Sequence, residues 1–211
     1  MSDTPRRYAS PWGILTSFPL LAIVALSSLS SFASSSSSLS SSNTDLQTLL
    51  CLKIHLSSNP DSPLGSWTQK NSSLHFCSWP GVTCSKARVV ALGLESSSLH
   101  GHIPPCIVNL TLLARIHLPN NQLAGHIPPE IGRLSRLSYL NLSSNGLTDS
   151  IPATLSSSTS LHVIDLAGNS LTGSIPVSLG SSSSLVSVLL ANRLFHRLLL
   201  TAHRFRCTIP L

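Results

Sequence analysis

An isoleucine-proline pair returns every 24 residues along this chain, at Ile103-Pro104, Ile127-Pro128, Ile151-Pro152 and Ile175-Pro176. The same spacing links three asparagines, Asn121, Asn145 and Asn169. A strict period of this length predicts a solenoid of stacked repeats. Solenoids usually act by offering an extended surface to a partner, so the period favours recognition over catalysis.

Each repeat follows the pattern LxxLxxLxLxxNxLxGxIPxxLGx, with three close copies at residues 110–133, 134–157 and 158–181. Residues 89–109 form a partial first copy, and a fifth begins near Ser182. Apolar residues alternate within each unit, as in Ile116-His117-Leu118, which predicts a short strand with its apolar side chains inward. Stacked copies then form a parallel sheet.

The remaining repeat positions predict how each unit turns. The asparagines Asn121, Asn145 and Asn169 are expected to bond the backbone of their own and adjacent turns, which is a structural role. Glycines at 101, 125 and 173 suit a tight turn, whereas Asp149 stands where the fourth would belong. The proline after each isoleucine removes an N–H group where an outer strand or helical turn begins.

The cysteines and tryptophans upstream of the repeats predict a stapled cap. Cys77 and Cys84 flank a Pro-Gly turn, and we expect a disulfide between them, because a metal site would need further ligands that the sequence does not supply. Residues 45–56 show helical spacing, with Asn43, Thr44 or Asp45 available as the N-cap, and Trp67 and Trp79 are expected to fill the space between helix and repeats. Cys51 and Cys106 could pair, but a small buried cysteine is the simpler interpretation, and Cys207 has no evident partner.

The first residues predict export. Residues 1–33 combine Arg6 and Arg7 with a short apolar stretch and small residues before Ala33, which is typical of a signal peptide cleaved after Ala33. A membrane anchor is the alternative, but the apolar run is shorter than the roughly 20 residues that a bilayer requires. A serine-rich linker over residues 34–44 follows, and no later segment predicts a membrane span.

The charge distribution argues against nucleic acid as a partner. The chain carries a formal net charge of +6. Residues 34–192 hold seven Lys or Arg against six acids, whereas residues 193–211 hold four Arg and no acid. A phosphate-binding face needs clustered basic residues in the folded part, so none is expected there. The divergent basic tail at 193–211 loses the period; we interpret it as out-of-frame sequence, with a basic amphipathic helix over the last repeat as the alternative.

No catalytic pattern occurs in the sequence. The nine His show no HExxH spacing, and neither a GxSxG elbow nor a glycine-rich phosphate loop is present. We therefore expect no catalytic residues, no cofactor and no metal site.

Strand positions between the apolar residues predict the ligand-binding surface. They form two adjacent columns across three turns, which we expect to face a polar or peptide ligand: Arg115, His117, Tyr139, Asn141, Val163 and Asp165. N-glycosylation sequons begin at Asn71, Asn109 and Asn141. A glycan at Asn141 would cover the predicted ligand surface, so the two predictions conflict at that residue.

The cap and the repeats together resemble a known family. Trp67, the run FCSWPGVTC at residues 76–84 and units ending in GxIPxxIG resemble the extracellular region of plant leucine-rich repeat receptor-like kinases. The resemblance covers residues 45–192 and implies a disulfide-stapled helical cap at 45–88 and an α/β solenoid of about four and a half plant-type repeats at 89–192. It implies Cys77–Cys84 as the cap disulfide, Asn121, Asn145 and Asn169 as an internal asparagine ladder, and a concave or lateral surface that binds peptides, steroids, microbial molecules or co-receptors.

Two functions fit this resemblance. In the first, the chain is the N-terminal part of a receptor-like kinase, ending before the membrane helix and the kinase, and acts in plant signalling or defence. In the second, it is a complete secreted protein, similar to inhibitors or decoys of cell-wall-degrading enzymes. Both place the repeats outside the cell, at the plasma membrane if the chain is a receptor fragment.

Overall fold

The structure is a computed structural model that describes residues 41–56, 62–68 and 75–190. All of them belong to one compact unit, which begins at Ser40. The predicted signal peptide, most of the predicted linker, the sequon at Asn71 and the basic tail lie outside the described residues. No helix in the described ranges combines the length and apolar character needed to cross a bilayer.

The main sheet has six strands, one from each of the five repeats, counting the partial first copy, and one from the cap. Its spatial order is β1, β2, β4, β6, β8, β9, where these are Val82–Ser85, Arg88–Gly93, Arg115–His117, Tyr139–Asn141, Val163–Asp165 and Ser187–Leu189. Strands β1 and β2 pair antiparallel, and every later pair is parallel. The predicted parallel repeat sheet is confirmed.

A second, smaller parallel sheet follows the first along each turn. It contains β3, β5 and β7, which are His100–Gly101, Gln122–Gly125 and Gly146–Leu147. Short helical turns then begin after each proline: 3₁₀ helices at Pro105–Asn109, Pro129–Arg133 and Ala153–Ser157, and a short α-helix at Val177–Gly180. The prolines before the three 3₁₀ helices hold an extended conformation, and a proline needs no N–H partner.

The core is aliphatic and runs the length of the solenoid. One side chain from each of the five strands that pair in parallel stacks on the next in register, and their exposed fractions do not exceed 8%: Leu92, Ile116, Leu140, Ile164 and Val188. Because each repeat shares this column with its neighbours, burial of apolar surface depends on stacking rather than on any single repeat.

The cap helix starts earlier than the sequence predicts. Residues 41–55 are helical, so Asn43, Thr44 and Asp45 lie inside the helix rather than at its N-cap, and the last residues of the predicted linker are ordered. The contacts explain the difference. Thr48 Oγ1 donates to the carbonyl of Thr44 within the helix, and Ser42 Oγ donates to Ala87 O beside β2, so packing on the first repeat outweighs the weak helix propensity of these residues.

Asp45 instead fixes the cap to the sheet. Its side chain is fully buried and accepts hydrogen bonds from Arg88 Nε at 2.8 Å, Arg88 Nη2 at 3.0 Å and Val89 N at 2.9 Å. The hydrogen bond to Asp45 raises the pKa of the Arg88 guanidinium, so the contact favours the charged form of this arginine.

Two disulfides and a tryptophan pair complete the cap. Cys77 and Cys84 are bonded, and the indole rings of Trp67 and Trp79 stack at 5.5 Å between ring centroids. Cys51 and Cys106 are also bonded, which corrects the interpretation of these residues as buried free cysteines. The helix places Cys51 over the 3₁₀ helix of the first repeat, a juxtaposition across 55 residues of sequence that no local pattern reveals.

At the turn after the second sheet, Asp149 adopts the conformation that glycine holds in the other repeats. Its φ is +64°, against +75° at Gly125 and +82° at Gly173. Aspartate tolerates this left-handed region better than most residues, because its short side chain can bond locally. The repeat therefore keeps its shape despite the substitution.

Candidate functional site

The predicted binding residues lie in two columns on the main sheet. The register aligns Ala91, Arg115, Tyr139, Val163 and Ser187 in one column and Gly93, His117, Asn141, Asp165 and Leu189 in the next. These positions alternate with the core column, so they form the opposite face of the sheet. We call the six predicted residues with Glu95 the concave patch.

Arg115 and Tyr139 form a ring contact within the concave patch. The guanidinium carbon of Arg115 lies 4.2 Å from the centre of the Tyr139 ring, a cation–π geometry. Arg115 is exposed and Tyr139 half-buried. Within the described part of the chain Arg115 makes no ion pair, so its charge is available to an anionic group of a ligand.

His117 joins this pair to a carboxylate that the sequence did not single out. Its Nε2 lies 3.1 Å from Glu95 Oε2, and its ring centre is 5.8 Å from that of Tyr139. Its Nδ1 is buried without a hydrogen-bond partner in the described structure. Glu95 lies just beyond β2, two residues after Gly93, which is the register neighbour of His117. Extending the strand register of the repeats into the partial first copy could have predicted that Glu95 lies near His117.

The sequence predicts that Asn141 faces a ligand, whereas the structure buries its side chain. It is 8% exposed, and its Nδ2 donates to Tyr139 Oη at 3.3 Å. Its Oδ1 accepts from the backbone N of Ser143 at 2.9 Å and from Ser143 Oγ at 2.8 Å. Both ends of the amide are thus engaged, and Asn141 supports Tyr139 rather than offering a free group to a ligand.

The other two predicted residues border this cluster. Val163 and Asp165 follow Tyr139 and Asn141 in register and are half-buried. Asp165 Oδ1 accepts a hydrogen bond from Ala167 N at 3.2 Å, within its own turn. The structure therefore brings Arg115, His117, Tyr139 and Asn141 into one contact cluster, with Val163 and Asp165 as neighbours.

The asparagines hold these strands at a constant spacing. The Nδ2 of Asn145 donates to Leu142 O in its own turn and to Leu118 O in the preceding turn, both at 3.0 Å, while its Oδ1 accepts from Leu123 N at 3.0 Å. Asn121 and Asn169 bridge consecutive turns in the same way. The strands that carry the concave patch are therefore fixed relative to one another by buried backbone contacts.

Across residues 41–56, 62–68 and 75–190, no three His, Cys, Asp or Glu side chains converge so as to hold a metal ion.

Family models match both parts of the fold. The leucine rich repeat N-terminal domain matches residues 42–85, and the leucine rich repeat matches residues 136–158 and 160–182. A curated relative from Arabidopsis thaliana, the LRR receptor-like serine/threonine-protein kinase GSO1, is 47% identical over 68 residues. That match covers 30% of this chain, and the chain spans only 5% of the length of that relative.

Solved structures extend the likeness over most of the chain. The BIR2 ectodomain from Arabidopsis thaliana is 34% identical with a TM-score of 0.64, covering 71% of this chain and 83% of that one. The Arabidopsis HAESA ectodomain, solved with an N-terminally extended IDA peptide hormone ligand, is 30% identical with a TM-score of 0.55, covering 74% of this chain and 30% of that one. The chain belongs to the plant leucine-rich repeat receptor-like kinase family, whose ectodomain fold it shares.

Proposed function

We propose that this chain is an extracellular recognition module that binds a peptide or protein ligand on its concave patch, with a co-receptor as a further partner. The observation that carries the proposal is the Arg115–Tyr139 pair: an exposed guanidinium, free of carboxylates among the described residues, held over a ring 4.2 Å away. Such a pair offers a positive charge and a large contact surface whose geometry is fixed before binding. Pre-organised anchors of this kind lower the entropic cost of association.

The chemistry of the concave patch favours a ligand with acidic and apolar groups. Arg115 is suited to a carboxylate, and the face of Tyr139 and the side chain of Val163 are suited to apolar contacts. The Glu95 carboxylate contacts His117 Nε2 at 3.1 Å and so has a partner within the concave patch. The HAESA ectodomain, solved with a peptide hormone ligand, is a precedent for peptide binding by this fold.

A peptide selection tests the proposal. The secreted full chain is immobilised and exposed to a displayed library of random peptides, and the affinity of each enriched peptide is then measured for the wild type and for Arg115→Ala/Tyr139→Ala. We expect binding to weaken at least about tenfold in the double variant, since a charge-assisted hydrogen bond to the guanidinium and contact with a ring of this size together contribute more than about 1.4 kcal/mol.

Two controls make the comparison specific. Arg133→Ala removes the same charge from an exposed position on the row of 3₁₀ helices, and it should bind like the wild type. Tyr139→Phe keeps the ring and loses only the hydroxyl group that accepts from Asn141. Equal affinity of a selected peptide for the wild type, the double variant and Arg133→Ala would place its site elsewhere and refute the proposal.

A further inference from the structure

Two N-glycosylation sequons lie within the described residues, and the structure treats them differently. They are Asn109-Leu110-Thr111 and Asn141-Leu142-Ser143. Glycan transfer forms a bond between the asparagine Nδ2 and the anomeric carbon of the first sugar. It breaks the bond of that carbon to the pyrophosphate of a lipid-linked donor and releases one amide proton. The sugar is bulky, so the modified nitrogen must point into solvent once the chain has folded.

Asn109 meets this requirement. It is the last residue of the 3₁₀ helix Pro105–Asn109 and is exposed, whereas Leu110 after it is fully buried and anchors the turn. Within the described part of the chain its side-chain amide has no hydrogen-bond partner. The neighbouring sequon residue Thr111 is exposed as well and accepts from Arg88 Nη2 at 3.2 Å.

Asn141 does not meet it. The amide is 8% exposed, its nitrogen donates to the Tyr139 hydroxyl, and its oxygen accepts two hydrogen bonds from Ser143 of the same sequon. On β6 it lies in register between His117 and Asp165. A sugar on the nitrogen of a side chain this buried would have to stand among these neighbouring strands.

We infer that Asn109 carries an N-linked glycan and that Asn141 is unmodified in the folded, exported protein. Glycan transfer precedes folding, so some chains can receive a sugar at Asn141, but such chains lose the contacts that complete the β4–β6–β8 face and are retained. The inference rests on the export that the proposed function requires. It also resolves the conflict between the sequon and the concave patch, because a glycan on the row of 3₁₀ helices leaves that patch open.

The experiment fuses a secretion leader to the full chain, so that entry into the secretory pathway does not depend on residues 1–33. Secreted and intracellular protein are digested and analysed by mass spectrometry after enzymatic deglycosylation in heavy-oxygen water. We expect the isotopic mark at Asn109 in most secreted molecules and at Asn141 in almost none, with any marked Asn141 confined to the intracellular fraction.

Sequon variants give an independent reading. Asn109→Gln should remove one glycan from the secreted protein, seen as a gel shift. Ser143→Ala destroys the second sequon while leaving the Asn141 amide in place, and it should leave the glycan mass unchanged. An unmodified Asn109 or a substantially occupied Asn141 in the secreted protein would overturn the inference. Neither result would bear on peptide binding. That binding is tested separately by comparing peptide affinities of the wild type and Arg115→Ala/Tyr139→Ala. Secretion driven by the native N-terminus is a separate test of export.

Discussion

The buried ion pair between the cap and the first repeat gives the sharpest prediction of stability. Asp45→Asn is nearly isosteric, yet it removes the negative charge from a side chain that is fully buried. The asparagine oxygen can still accept from Val89 N, so the backbone hydrogen bond at 2.9 Å is kept in part. What is lost is the charge-assisted, bidentate contact with Arg88.

The expected cost follows from the burial of the cation that remains. Removing one partner of a buried ion pair costs about 3–5 kcal/mol, because the other charge is left without compensation. The Arg88 side chain is 18% exposed, so water relieves part of this penalty, and we expect the lower end, about 3 kcal/mol. The guanidinium pKa is raised by this contact, so its stabilisation is fully present below the ordinary arginine range and is lost only above it. Arg88 keeps its charge between mildly acidic and mildly alkaline pH, so its titration should not change the difference in unfolding free energy between wild type and variant in that range.

Urea unfolding followed by tryptophan fluorescence measures this cost. Trp67 and Trp79 stack in the cap, so their emission reports the cap that the ion pair secures. Asp149→Asn is the matched control, because it makes the same chemical change at an exposed turn and asparagine also tolerates a positive φ; its effect should stay within about 0.5 kcal/mol.

A second variant separates the ion pair from the space it occupies. Asp45→Leu/Arg88→Met replaces both charges by apolar groups, which is often neutral or stabilising in proteins. We expect the double variant to recover most of the stability lost in Asp45→Asn. An unfolding midpoint for Asp45→Asn equal to that of Asp149→Asn would show that the buried pair does not hold the cap, and the reasoning would fail.

Two further comparisons test the cap and the repeat stacking by the same unfolding assay. Cys106→Ser opens the 55-residue disulfide loop and should cost about 4 kcal/mol, whereas Cys84→Ser opens the 7-residue loop and should cost about 2.5 kcal/mol; a reversed order would contradict the chain-entropy account. Gly132→Ala should cost about 2–3 kcal/mol, because a methyl group there overlaps the backbone carbonyl of Thr154 in the next repeat. Gly93→Ala meets nothing within 4 Å, so it should lie within about 1 kcal/mol of the wild type, and an equal loss in both alanine variants would contradict the close stacking of the 3₁₀ helices.

The period made most of the fold predictable from sequence. The spacing of Ile116, Leu140 and Ile164 fixes which side chains face the core. It also predicts the parallel register of the strands that carry them. Asn145 could be assigned a backbone role for the same reason, since an amide that recurs with the strand must lie at the same place in every turn. These inferences succeed because stacking repeats the same local geometry.

Contacts outside the period could not be predicted in this way. Asp45 meets Arg88 across 43 residues, and Cys51 meets Cys106 across 55. Both depend on how the cap helix lies on the first repeat. Within the concave patch, the alternation placed Asn141 on the correct face but could not show that Tyr139 and Ser143 would bury and saturate its amide. Local periodicity determines the direction of a side chain, whereas its neighbours determine whether it is free.

The most direct test of the recognition surface is to locate a bound peptide on it. A photoreactive benzoylphenylalanine is placed at Val163, on β8 beside Tyr139 in register, or at Ala124, an exposed position on the second sheet. Each full-chain variant is irradiated with a peptide taken from the selection, and the cross-linked product is quantified by mass spectrometry. We expect strong cross-linking from position 163, reduced in the presence of excess unlabelled peptide, and little from position 124. Cross-linking from position 124 with none from position 163 would contradict binding on the concave patch.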